Sequence, residues 1–134
     1  MQIILSDHNC EGQARQIFNV LKYDGDWLKL VPMELKWFRD VGLSGKASDK
    51  TVWLFCQKND YILLTGNRST KDGSESLELT IRHLVTPDSL PVLTISNIKR
   101  INSDPLYRKR CAEQMAEIVD DIERYRGTMR LYLS

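Results

Sequence analysis

Two short stretches of the chain are apolar without interruption, Ile3-Ile4-Leu5 and Ile62-Leu63-Leu64, and each is closed by small or polar residues. Such runs fit strands covered on both faces, the usual condition of central strands in a parallel sheet. Between and after them the pattern changes period. Ala14, Ile17, Phe18 and Leu21 recur at helical spacing and predict a helix over about 10–22. Residues 23–26 are a turn by composition, 27–31 predict a second strand stopped by Pro32, and 33–40 predict one or two helical turns. The Gly- and Ser-rich segment 41–49 is loop-like. Ser48 or Asp49 caps the next helix, over 50–58, with Val52, Trp53, Phe55 and Cys56 on its buried face. A third strand is predicted over 61–65, a helix over 75–84 and a fourth strand over 92–95. Ser103-Asp104-Pro105 signals the start of a long helix reaching about Arg126 and stopped by Gly127. Its stripe of Cys111, Met115, Ile118, Ile122 and Tyr125 faces the core or a partner. Residues 129–133 alternate as a last, edge strand. This order predicts one domain over 1–134, a three-layer α/β/α arrangement around a mostly parallel sheet.

Composition narrows the partners without naming one. Lys and Arg total 19 and Asp and Glu 18, a formal net charge of +1, so a nucleic-acid role would have to rest on a local basic patch. No apolar run approaches the roughly 20 residues that span a bilayer. No basic residue precedes the first apolar run, which argues against a signal peptide. The three cysteines, Cys10, Cys56 and Cys111, are widely spaced and form neither a disulfide framework nor a zinc motif. A reducing cytoplasm is the expected setting.

In open α/β sheets, ligands bind beyond the carboxyl ends of the strands. Three polar sets fall there: Asp7 after the first strand, Thr65 to Asn67 after the third, and Ser96-Asn97 after the fourth. Asp49, at a helix start, faces the same crevice. Taken alone, Asp7 reads as the N-cap of the following helix. Taken together, these oxygen-rich groups suit a hard divalent cation such as Mg2+, which accepts one or two carboxylates plus substrate phosphate oxygens. A cation so held polarises a phosphodiester and generates hydroxide for in-line attack.

The segments MQIILSDHN (1–9), VGLSGKASDKTV (41–52) and DYILLTGN (60–67) resemble the PIN-like domains, in particular the compact subgroup related to the toxin ribonucleases of toxin–antitoxin systems. That subgroup shows an apolar strand ending in Asp, a helix start of glycine, small residue and Asp, and a strand ending in Thr-x-Asp. Order and spacing match over about 1–67; from residue 75 onward the likeness is one of fold. The resemblance implies a Mg2+- or Mn2+-dependent endoribonuclease of toxin or RNA-processing type. Asp7 and Asp49 would ligate the metal, and Asn67 would complete the catalytic set or position the attacking water. Asn67 stands where the pattern has Asp, and Ser69 where many relatives carry another acid; Asp72, Glu75 and Glu78 follow as substitutes. Two readings stay open: a working nuclease with an altered site, or a catalytically silent PIN-like module that holds RNA or a protein. A receiver-like or nucleotide-binding domain ranks below both, since no paired acids follow the first strand and no Gly-rich phosphate loop is present.

RNA contacts fall to Arg68, Lys71 and Lys46, and to the basic cluster Lys99, Arg100, Arg108, Lys109 and Arg110. An antitoxin, or a second copy docked along the last helix, is the expected protein partner. His8 reads as a hydrogen-bonded strand-end residue and His83 as a complement to its helix dipole. Trp27, Trp37 and Trp53, each among apolar neighbours, read as core.

Overall fold

The computed structural model describes residues 1–66 and 71–134, the side chains of 71–76 excepted. Five strands, β1 (Gln2–Ser6), β2 (Met33–Lys36), β3 (Tyr61–Gly66), β4 (Val92–Ile95) and β5 (Arg130–Leu133), pair in parallel in the order β2-β1-β3-β4-β5. Ile4 lies opposite Leu35 of β2 on one side and Ile62 of β3 on the other. This order is one of the common doubly wound arrangements.

Strand alternation divides the core in two. Ile4, Ile62, Leu64, Leu93, Ile95 and Leu133 belong to one face, packed by α1 (Glu11–Tyr23), α5 (Ile98–Ser103) and α6 (Pro105–Asp120). Leu5, Leu63 and Val92 belong to the other, packed by α3 (Asp49–Asn59) and α4 (Lys71–Leu84). The result is a three-layer α/β/α fold. Ile4 and Leu5 are both wholly buried, each contributing roughly 1.5–3 kcal/mol of apolar burial. The stripe predicted on the last helix faces inward: Cys111 and Met115 are buried, and Ile118 and Ile122 pack against the same core.

Several elements differ from expectation. Residues 27–30 form a single helical turn, α2 (Trp27–Leu30), and the second strand is β2, just after Pro32. Both segments are four residues long, too short for periodicity to separate them, and Leu30 at the end of α2 is 72% exposed. Phe38–Val41, the end of the predicted helical stretch, forms a 3-10 turn. The short helix α5 was not foreseen; it is capped by Asn97, whose side chain accepts from the Arg100 N–H. Finally, α6 ends at Asp120, short of Arg126, and a 3-10 turn follows over Ile122–Tyr125. Glu117, Asp120 and Asp121 collect at its carboxyl end with no basic residue in the last turn, where the helix dipole disfavours negative charge.

Candidate functional site

The strand order reverses between β1 and β3, so the crevice outside their carboxyl ends is the site the fold provides. Asp7 occupies it. Its N–H donates to the Leu64 carbonyl (2.8 Å), carrying the β1–β3 pairing one residue past the strand and fixing the backbone. Asp7 is the residue before a 3-10 turn (His8–Cys10), yet its side chain makes no capping bond. Instead Oδ2 accepts from Thr65 Oγ1 at 2.7 Å, and the residue is only 8% exposed. The capping role read from the local sequence is thereby replaced by a tertiary one, carboxylate to β3.

Asp49 arrives from α3, the helix packed on the adjacent face of the sheet. Ser48 caps α3, its Oγ accepting from the Thr51 N–H at 3.1 Å, and this sets Asp49 in the first helical turn, where the dipole favours a carboxylate. Asp7 and Asp49 line one cleft of about 180 Å³, walled also by His8, Phe38, Gly45 and Val52. Drug-sized ligands occupy about 300–1,000 Å³. This cleft therefore suits an ion with a single phosphate group, the rest of a substrate lying outside.

The imidazole of His8 is largely exposed, and the loop at Gly45 lies close against it: a Cβ built there would come within 3.1 Å of His8 Nε2. Phe38 stacks nearby at 6.1 Å between centroids. His8 Nδ1 lies 3.6 Å from Glu11 Oε2, and Glu11 Oε1 accepts from Arg39 Nη1 at 3.2 Å. Glu11, Phe38, Arg39 and Gly45 escaped sequence reading. The only local signal was the three-residue step from His8 to Glu11, and the rest is contributed by a loop remote in sequence.

The surroundings decide which metals the cleft fits. Burial, and secondarily the negative charge of Asp7, push the Cys56 thiol up to about 12, so it is not a thiolate ligand near neutrality. Cys10 is wholly buried beneath the Asp7 turn, its Sγ 3.6 Å from the Leu64 carbonyl oxygen. The cleft offers the carboxylates of Asp7 and Asp49, which are hard oxygen donors, beside the Asn9 amide and the His8 imidazole. Among the described residues no group of three or more His, Cys, Asp or Glu is placed to enclose a metal. Two carboxylates completed by water and substrate phosphate fit Mg2+ or Mn2+, and do not fit a closed protein cage.

The other predicted site residues that are described lie outside the cleft. Asn67, Arg68 and Ser69 lie outside the described residues, as do the side chains of Lys71, Asp72 and Glu75. Glu78 turns to β5, with Oε2 3.5 Å from Arg130 Nη2. Ser96 and Asn97 do not line the cleft, Asn97 being the α5 cap. Of the basic cluster, Lys99 is exposed. Arg100 makes two bonds to Asp104 Oδ2, holding that carboxyl below its ordinary range, and lies over the Tyr107 ring. Arg108 donates to the carbonyls of Ile101 and Asn102. These two arginines thus tie α5 to α6. Trp53 is buried, as expected; Trp37 is half-buried, with Arg15 and Arg39 over its ring. No family model matches the chain, and neither the curated proteins nor the solved structures yield a match.

Proposed function

We propose that this chain is a PIN-like, Mg2+- or Mn2+-dependent endoribonuclease of toxin or RNA-processing type. The observation that carries the reading is the presence of Asp7, from the end of a sheet strand, and Asp49, from the helix α3 packed on that sheet, in one small cleft at the strand-order reversal. Their resemblance to the metal-site acids of that family, in order and spacing, supports it. When bound, the cation supplies Lewis acidity toward a phosphoryl oxygen and a water made acidic enough to attack.

The chain's own residues divide the work. Asp7 and Asp49 hold the cation. Thr65 donates to Asp7 and fixes the plane of its carboxylate, as partners of metal ligands commonly do. Val52 and Phe38 form the apolar part of the wall and limit water at the phosphate. By the resemblance, Asn67 would complete the catalytic set or position the attacking water; it lies outside the described residues.

Incubation of the purified chain with single-stranded RNA and Mn2+ or Mg2+ tests this. Cleavage is expected with the wild type and a loss of more than about a hundredfold with Asp7→Asn or Asp49→Asn, since even partners of metal ligands are worth 10–100-fold. Absence of cleavage, with no calorimetric binding of Mn2+, refutes the enzyme. RNA binding that persists in EDTA and in Asp7→Asn, without cleavage, identifies the silent binding module instead.

A further inference from the structure

Trp37 follows β2 directly and therefore stands at the carboxyl edge of the sheet, the edge that carries the cleft. Its ring is half-buried, packed against the α1/α6 core. Two guanidinium groups lie over it, Arg15 of α1 at 5.5 Å and Arg39 at 5.4 Å from the ring centre. Both lie within 5.5 Å of one point, so their separation is at most twice that distance. Arg39 is largely exposed and, among the described residues, gives only Nη1 to Glu11, leaving four of its five N–H donors. Arg15 is exposed and makes no ion pair among the described residues. The set adjoins the cleft: Phe38 lines it, and Glu11 joins Arg39 to His8 on its wall.

We propose that Arg15 and Arg39, held on Trp37, form a phosphate clamp for single-stranded RNA, gripping the strand where it leaves the Asp7–Asp49 cleft. The choice of RNA rests on the nuclease reading; the clamp itself rests on the geometry. The cleft accommodates one phosphate, so a polynucleotide needs a second foothold on the surface. Planar guanidinium groups match phosphate oxygens, and stacking on an indole restricts them before the ligand arrives. Such preorganisation lowers the ordering cost of binding. Near-neutral overall charge makes the local pair matter, because the molecule as a whole supplies no attraction to a polyanion.

The test is fluorescence anisotropy of a labelled twelve-residue oligouridylate with the full chain in EDTA, over a series of salt concentrations. Arg15→Gln/Arg39→Gln is expected to weaken binding at least tenfold at low salt. It should also reduce the slope of log K against log salt by about 0.7 per lost phosphate contact. Trp37→Leu keeps both charges, so its slope should equal that of the wild type while affinity falls several-fold. Circular dichroism and thermal melts confirm that each variant is folded. Wild-type affinity and slope in the double arginine variant overturn the clamp, as does a wild-type chain that binds no oligouridylate. Equal competition by polyglutamate, lost in the same variant, overturns it in favour of an acidic protein surface. The two proposals fail separately: binding with the expected slopes but no cleavage removes the nuclease alone, whereas cleavage with unaltered KM in the arginine variant removes the clamp alone.

Discussion

Thr65 is 2% exposed, and its hydroxyl donates to one acceptor, Asp7 Oδ2. A hydrogen bond to a charged group is worth about 1.5–3 kcal/mol, and most of that is lost when the donor alone is removed. Thr65→Val keeps the shape and deletes the donor. Its urea midpoint should fall accordingly, and cleavage should fall with it because the carboxylate plane is released; Thr65→Ser should restore most of both. Cys56, on α3 in the adjacent layer, reports on the same carboxylate. Its folded value of about 12 lies above the ordinary 9.0 of an unfolded thiol. A raised value favours the folded state fully below about pH 9, and this stability is lost as pH climbs toward 12. Urea midpoints measured across that window should decline, and Cys56→Ala should flatten the decline in part, since burial raises Tyr107 and Cys111 in the same direction.

At the scale of elements, α3 illustrates how a cap becomes functional. Ser48 accepts from Thr51, and the first residue it thereby fixes in the helix is Asp49. Ser48→Ala should cost about 1 kcal/mol, the usual value of an N-cap, read as a lower melting temperature. Activity should drop further than that loss of stability explains, because Asp49 frays with the first turn. The cap was legible in the sequence, since a Gly/Ser loop leading to Ser-Asp before an apolar face has few other meanings. β2 was not, although Met33-Glu-Leu-Lys36 does alternate. As an edge strand it buries one side only, Met33 inside and Glu34 exposed, and four residues of alternation are weaker than the bulk of Trp37 and Phe38 beside them. Asp7 was misread locally for a related reason: whether an acid caps its own turn or reaches another strand depends on Thr65, whose position only the pairing of β1 with β3 determines.

On the scale of the molecule, the site follows from connectivity. Crossing from β1 outward to β2 and back past β1 to β3 leaves a gap between the helical layers at the carboxyl edge. Close packing guards its flank: a Cβ on Gly66 would fall 1.7 Å from Ile98 Cδ1, so α5 sits tight against the end of β3. The doubly wound architecture was legible because its two central strands are apolar throughout. The wall of the cleft was not, because His8, Gly45 and Phe38 meet only through tertiary contacts. The same connectivity governs assembly during synthesis. At about 5–20 residues per second, β3 trails β1 by several seconds, and until then β1 has β2 on one side and an open edge on the other. An open strand edge is a template for wrong pairing. Once β3 closes it, β4 and β5 each add beside the strand made just before, so spatial order then follows the order of translation. The sheet is thus built outward from a centre that is completed late, with the inner edge of β1 unpaired until the middle third of the chain has been made.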